Sequence, residues 1–465
     1  MTNRSFDVIV IGAGPAGEVV AGRCAEGGLS VAIVERELIG GECSYWGCIP
    51  SKVLVRPGEL VAAAKRVPGA AEAVTGPIDV EAALARRDEA TSGWNDAGQV
   101  PWLTQRHVEI ARGTARLVGV KTVTVTAADQ TVTTLEAVRA VVIATGTGAA
   151  MPNVDGLVDA GAWTNREVTG MKAVPEKLLV VGGGAIGAEM AQAVKRLGAA
   201  EVTIIEGADR LFAREEPFVG DEVRAALEAD GITVITGARL SSVRRTGSVG
   251  PVVATLADGR QLIGDEILVA AGRRPATGDI GLEVVGLTPG KAIDADTQLR
   301  AVGVEGGWLY AVGDCNGRAL LTHMGKYQAR IAADVILGRD ASDEAGHRAL
   351  PRVTFTDPQV AAVGLTEAQA REQGIDVRSV TFGTGDVAGA YTLGNAGIGT
   401  SKLVVDQTRR VIVGATFTGP SVQELLHAAT IAIVGEVTLD RLWHAVPSFP
   451  TVSEVWLRLL ETYGL

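Results

Sequence analysis

Apolar, β-branched runs that end on glycine recur along this chain and set its predicted elements. Phe6 to Ile11 (FDVIVI) has no polar face, as expected of a strand buried on both sides of a parallel sheet. It runs into Gly12-Ala13-Gly14-Pro15-Ala16-Gly17, then a helical pattern from Glu18 to about Gly27, then a strand from Val31 to Val34 that ends on Glu35. Helical periodicity also covers residues 51–64 and 80–97. Strands are predicted at 108–111, 116–118 and 122–125, and another buried strand at Ala140 to Gly146 (AVVIATG). The opening pattern then repeats. Lys177 to Val181 leads into Gly182-Gly183-Gly184-Ala185-Ile186-Gly187, a helix to about Leu197, and a strand Val202 to Ile205 that ends on Glu206. Glu266 to Gly272 and Trp308 to Asp314 are further strand-like runs, and 322–337 reads as a helix. After the polar segment 341–352, strands at 360–363, 402–405 and 411–416 alternate with helices near 422–434 and 452–462, with no glycine fingerprint.

A GxGxxG turn between strand and helix, with an acid at the end of the next strand, is a dinucleotide fingerprint in context. Gly12 makes the tight turn, Gly14 lets backbone approach a pyrophosphate, and Gly17 allows close helix–strand packing. Glu35 is placed to accept hydrogen bonds from a ribose. The second copy supplies Gly182, Gly184, Ala185, Ile186, Gly187 and Glu206. A carboxylate there binds a free 2′-hydroxyl and repels a 2′-phosphate, which favours NADH over NADPH. Arg210 and Arg214 are cations close enough to moderate that preference.

Composition narrows the class. The 465 residues suffice for several domains, and 47% hydrophobic with 21% charged residues is ordinary for a globular protein. A net charge of −11 without a basic run argues against nucleic acid and anionic membrane surfaces. Strand-like sequence from Phe6 leaves no room for a signal peptide, and no apolar run reaches the roughly 20 residues of a membrane span. The expectation is a soluble, cytoplasmic protein.

The stretch of greatest chemical interest is Gly40 to Lys52, GGECSYWGCIPSK. Five helical positions separate Cα atoms by roughly 7.5 Å along the axis. A disulfide requires about 4.4–6.8 Å, so pairing Cys43 with Cys48 needs a distorted turn. Gly47 permits one. Pro50 suits the first turn of a helix, which puts Cys48 at a helix N-terminus, where a thiolate is stabilised. In a reducing compartment such a pair is more often catalytic than structural. A zinc site needs four ligands in closer pairs, and Cys24 and Cys315 have no ligand-like neighbours, so no metal site is expected. Packing accounts for both of them.

These motifs together resemble one family, the two-cysteine flavoprotein disulfide reductases, which includes dihydrolipoyl dehydrogenase, glutathione reductase and mercuric reductase. The resemblance covers nearly the whole chain: the first fingerprint, GGECSYWGCIPSK, ATG at 144–146, GGGAIGAE at 182–189, GRRP at 272–275, YAVGD at 310–314 and FPTVSE at 449–454. It implies an α/β fold with two Rossmann-like domains, the second inserted in the first, and a C-terminal α+β dimerisation domain. The expected boundaries are 1–150 and 273–346 for FAD, 151–272 for NAD(H), and 347–465 for the homodimer interface, which completes the partner's active site. It implies FAD contacts at Gly12, Gly14, Pro15, Ala16, Gly17, Glu35, Arg36, Gly41, Glu42, Cys43, Lys52, Ala115, Thr145, Gly146, Gly313, Asp314 and Thr322. NAD(H) falls to the second fingerprint, with Gly272 at the exit of that domain.

By the same resemblance, Cys48 matches the charge-transfer thiolate and Cys43 the interchange thiol that attacks substrate. Lys52 matches a lysine near the flavin ring, with Glu189 as its ion-pair partner. A cation beside a flavin stabilises reduced, anionic states. One departure stands out. Disulfide-reducing members carry a His-Pro-Thr run with Glu five residues after the His; here the run is Phe449-Pro450-Thr451, with Glu454 retained. Phe cannot shuttle the proton of the interchange thiol, an effect typically worth about 10²–10⁴-fold. Mercuric reductase and the soluble transhydrogenase carry Tyr at this place. A ketopropyl coenzyme M carboxylase carries Phe, but with His where this chain has Glu454. His444 is a candidate substitute base; His107, His323, His347 and His427 have no motif role. The chain ends without a C-terminal cysteine pair, which argues against a mercuric reductase of the usual kind. The reading is an NADH-dependent flavoprotein acting on a small disulfide or dithiol. Its alternatives are flavin-level reduction of quinones, metals or oxygen, or carbon–sulfur cleavage.

Overall fold

A computed structural model describes residues 3–247, 250–346 and 348–465; His347 lies outside them. The chain forms two compact units: residues 1–50, 88–150 and 273–347, and residues 51–87, 151–272 and 348–465.

In the first unit, β1 (Asn3–Ile11), α1 (Pro15–Glu26) and β2 (Val31–Glu35) follow directly from the opening pattern. The helix starts at Pro15 rather than Glu18, because proline at the first helical position has its backbone angle preset and gives up only an N–H that would be unpaired there. A short helix follows, α2 (Gly41–Tyr45), and then the start of a long one, α3 (Cys48–Lys65), most of which belongs to the second unit. The sheet is completed by β3 (Glu109–Arg112), β4 (Thr114–Gly119), β5 (Thr122–Thr126) and β6 (Val132–Ile143), in the order β3-β2-β1-β6-β5-β4. β6 does double duty. Its first half carries β5 antiparallel, and its end pairs in parallel with the strand Leu309–Ala311. The sequence pattern shows only that second half, because the first alternates between the two faces.

Alternation within β1 divides the core. Val8 and Val10 pack with Val20 and Ala21 of α1 and with Ala329 and Ala332 of the helix Thr322–Ile336. Ile9 and Ile11 face the other way, onto Leu117, Val123 and Leu309. All four are essentially buried, and each contributes about 1.5–3 kcal/mol by leaving water. The helix expected over 80–97 instead stops at Ala90. Ser92, Gly93 and Trp94 then take positive φ, which turns the Trp94 indole N–H onto the Tyr45 carbonyl at 3.2 Å.

The second unit holds a parallel sheet of Thr233–Ile235, Glu201–Ile205, Lys177–Val181 and Glu266–Val269, in that order. It adds an antiparallel meander of Leu240–Arg245, Val252–Leu256 and Gln261–Gly264. Its C-terminal part is a five-stranded sheet that includes Arg352–Thr354 and Val377–Gly383, which the apolar pattern alone does not show. The last helix spans Glu454–Tyr463. The α/β architecture with two Rossmann-like sheets and a C-terminal α+β region is therefore present. No described helix is long and apolar enough to cross a membrane.

Candidate active site

The two glycine turns repeat the same close approaches. Gly12 has φ +100° and Gly182 φ +111°; a Cβ at either would lie 2.5 Å from a carbonyl oxygen, of Ala144 or Ala270. A Cβ on Gly17 would meet Gly12 O at 1.8 Å, and one on Gly187 would meet Gly182 O at 1.9 Å. Only glycine fits these four places. The acids repeat as well. Glu35 accepts from the backbone N–H of Ala13 at 2.7 Å and of Glu37 at 2.8 Å. Glu206 accepts from Gly183 at 2.5 Å and Ala208 at 2.7 Å. Each carboxylate thus clamps its own glycine turn, a role additional to the ribose contact expected from sequence.

The space in front of both turns is open: a Cβ on Gly14 or Gly184, the helix N-caps, meets nothing within 4 Å. A pocket beside the first turn is lined by Gly12, Glu35, Arg36, Ala115, Thr145 and Asp279. Arg36 pairs with Asp279 at 3.1 Å. The Thr145 hydroxyl is buried there without a hydrogen-bond partner. Gly146 follows it at φ +69°, and Gly272 closes the inserted segment at φ +129°. An open helix N-terminus, a strand-end acid and an orphaned buried hydroxyl fit a dinucleotide at the first site; the second repeats the N-terminus and the acid.

The dithiol lies beside the first turn. A Cβ on Gly41 would come within 2.8 Å of Gly14 Cα, so α2 sits directly on the fingerprint, with Pro15 next. A Cβ on Gly313 would lie 3.3 Å from that of Ala16. α2 ends at Trp46 (φ −137°, ψ 2°), and α3 restarts at Cys48. The distortion is carried by Trp46, while Gly47 makes room: its Cβ would press on the Glu42 carbonyl at 3.1 Å. Cys43 and Cys48 are unbridged and hydrogen-bonded to one another. That bond, together with burial, drives the Cys43 thiol upward, with the Thr322 side chain and then Lys326 opposing. Cys48 Sγ lies 3.2 Å from Thr322 Oγ1, the first residue of its helix.

Asp314 is held by a relay the sequence does not reveal. Thr147 Oγ1 donates to Asp314 at 2.8 Å, and Arg273 Nε donates to Thr147 at 2.7 Å. Arg273 also approaches Glu42, 3.5 Å away. Burial raises the Asp314 carboxyl against the pull of Thr147 and Arg273. Glu18, in the first turn of α1, is pushed up to about 7 by burial, with Lys326 lowering it and Glu35 raising it.

In the second unit, Lys52 Nζ bonds Glu189 at 2.7 Å, as the resemblance implied. Phe355 is the unforeseen third member: its ring centroid is 4.8 Å from Lys52 Nζ, and its backbone N–H donates to Glu189 at 2.8 Å. Phe449 and Glu454 belong to this unit too. The Phe449 ring is 76% exposed, and Glu454 is buried with one oxygen on Arg458 at 2.6 Å and the other without a partner. His444 is exposed on the same segment. Among the described residues no cluster of metal-ligating side chains is present.

Comparisons with known proteins agree with this geometry. Residues 6–331 match the pyridine nucleotide-disulphide oxidoreductase family, and residues 350–459 match its dimerisation domain. The chain is 34% identical over 455 residues to dihydrolipoyl dehydrogenase of Mycobacterium tuberculosis, covering 97% of this chain and 96% of that one. It is 30% identical over 451 residues to mercuric reductase of Staphylococcus aureus, covering 97% and 81%. LpdA from Mycobacterium tuberculosis superposes with a TM-score of 0.87 at 26% identity, over 100% of both chains. The HOCl-induced flavoprotein disulfide reductase RclA from Escherichia coli, solved as a Cu(II) complex, shares the fold, with a TM-score of 0.86 at 24% identity over 98% and 99% of the two chains. The chain belongs to the pyridine nucleotide-disulphide oxidoreductase family, enzymes that use FAD and NAD(P)H.

Proposed function

We propose that this enzyme takes electrons from NADH and reduces a small disulfide, or runs in reverse on a dithiol, through the Cys43–Cys48 pair. The observation that carries the reading is the dithiol itself, seated on the first glycine turn with Cys48 against Thr322. Bound FAD supplies the path by which the two electrons of a hydride reach a disulfide. Gly12, Gly14, Pro15, Ala16, Gly17, Glu35, Arg36, Gly41, Glu42, Ala115, Thr145, Gly146, Gly313 and Asp314 hold it in this reading. Lys52 adds positive charge, with Glu189 keeping it in place. Gly182, Gly184, Ala185, Ile186, Gly187, Glu206 and Gly272 bind the nicotinamide coenzyme.

The protein's own chemistry is thiol–disulfide exchange. Cys43 as thiolate attacks one sulfur of the substrate and expels the other as a thiolate. Cys48 then attacks Cys43 and releases the second thiolate, and the Cys43–Cys48 bond re-forms. One disulfide is reduced for each dithiol oxidised, and two protons are taken up by the products. Cys48 stands at the first residue of α3, with the Thr322 hydroxyl beside its sulfur. A cytoplasmic homodimer suits this reading: Val446 and Phe449 are 83% and 76% exposed on the region matching the dimerisation domain. The test is Cys43→Ser assayed anaerobically with NADH and a panel of small disulfides. Loss of turnover is expected, and unchanged turnover on the best disulfide would refute the reading.

A second reading rests on Phe449. Without a proton carrier at this place, a quinone, metal ion or oxygen served at the flavin level becomes a competing acceptor, as does carbon–sulfur cleavage that needs a protected thiolate. Quinone turnover that survives in Cys43→Ser supports it, and loss of that turnover with the disulfide activity removes it.

A further inference from the structure

The second dinucleotide turn carries a cation that the coenzyme reading leaves unused. Arg239 follows the strand Thr233–Ile235, and its backbone neighbourhood is stitched to the turn after Glu206. Gly237 N–H donates to the Ala208 carbonyl at 2.8 Å, Ala238 N–H to the Glu206 carbonyl at 2.9 Å, and Glu206 N–H to the Ile235 carbonyl at 2.8 Å. The side chain then folds back over Gly207: a Cβ there would sit 3.6 Å from both Cγ and Nε of Arg239. Arg239 is exposed, and among the described residues no hydrogen bond or ion pair to its guanidinium is present.

The two arginines suggested by sequence behave differently. Arg210 is consumed locally, donating to the carbonyls of Ala213 at 2.9 Å and Glu215 at 3.0 Å, and more weakly to those of Phe212 and Glu216. Arg214 is exposed and, among the described residues, carries no comparable tether. Acid at the end of this strand is where the adenosine ribose is read, and an arginine at that place accommodates a 2′-phosphate. Glu206 opposes such a phosphate, and its two oxygens are turned onto the backbone N–H groups of Gly183 and Ala208 while its charge remains, so a cation beside it has to offset that repulsion. Asp209 is the other nearby acid, 3.9 Å from a Cβ built on Gly237.

We propose that Arg239 is a specificity-determining residue that grips a 2′-phosphate on the adenosine ribose, so that the second site accepts a phosphorylated nicotinamide coenzyme alongside the unphosphorylated one. This rests on the coenzyme-site reading above. The test is isothermal titration of the FAD-loaded enzyme with adenosine 2′,5′-bisphosphate and with 5′-AMP at low salt, for wild type, Arg239→Ala, Arg239→Lys and Arg214→Ala. Arg239→Ala should weaken the bisphosphate about tenfold and leave AMP within about twofold, with Arg239→Lys in between. Equal weakening of both probes, no change for the bisphosphate, or a loss confined to Arg214→Ala would overturn the assignment. If neither probe binds the wild-type enzyme, the coenzyme site itself is misplaced, an outcome distinct from a silent Arg239.

Discussion

Lys52, Glu189 and Phe355 make an unequal partnership, and the inequality has a measurable consequence. Glu189 is 4% exposed, whereas the Lys52 side chain is 36% exposed. Removing Lys52 strands a buried carboxylate that, among the described residues, keeps only the Phe355 N–H as partner. Breaking a fully buried pair costs about 3–5 kcal/mol, and the half-open lysine side brings this down to about 2–3 kcal/mol for Lys52→Met. Glu189→Gln leaves an oxygen to accept from Phe355 or Lys52 and frees a lysine that can rehydrate, so about 1 kcal/mol is expected. Glu189→Ala also leaves the Phe355 N–H unpaired, which adds about 1–3 kcal/mol. The predicted order of loss is therefore Gln at 189 smallest, with Met at 52 and Ala at 189 well above it. Urea unfolding followed by circular dichroism on the FAD-loaded enzyme reads the order from midpoints, which do not require a two-state chain of this size. If Glu189→Gln lost as much as Glu189→Ala, the Phe355 hydrogen bond would have no structural role and the account of the triad would be wrong.

Two further outcomes follow from the site. Glu18 has its carboxyl raised from the ordinary 4.5 to about 7, so the stability it contributes is complete below about pH 4.5 and is lost as pH rises through about 7. Glu18→Gln should accordingly raise the unfolding midpoint at pH 8, by up to about 2 kcal/mol after allowance for residual solvent, and leave it nearly unchanged at pH 4; a pH-independent difference would refute the burial argument. Phe449→His supplies a proton carrier five residues before Glu454, one buried oxygen of which lacks a partner among the described residues, and disulfide turnover should rise by about 10²-fold or more. No rise in the pH profile of NADH-driven disulfide reduction would mean that Phe449 does not limit this step.

The glycine turns, the strand-end acids and the position of Cys48 were legible in the sequence because each is local. A run such as FDVIVI followed by GAGPAG admits few alternatives, and a proline two residues after a cysteine marks a helix start. Partnerships between distant segments were not. Nothing in the residues around Thr147 points to Asp314, and nothing near Phe355 points to Lys52, because a hydrogen bond from a backbone N–H leaves no trace in side-chain pattern. The strands Val377–Gly383 and Leu240–Arg245 escaped for another reason: they carry polar residues on their exposed faces, and their pairing rather than their composition makes them strands. Arg239 illustrates the limit of proximity in sequence, since the arginine nearest Glu206 along the chain turned its guanidinium onto its own loop.

Glu35 and Glu206 brace the loops that they were expected only to decorate. An engineer who exchanged Glu206 for a neutral or basic residue to retrain coenzyme choice would also unfasten Gly183 and Ala208, and the loop would arrive at the ligand less ordered. Any gain in selectivity would then come mixed with weaker grip on both coenzymes. A successful retrofit has to supply a new strut for the turn along with the new charge, because even Gln at 206 offers a single oxygen where the N–H groups of Gly183 and Ala208 now find one each.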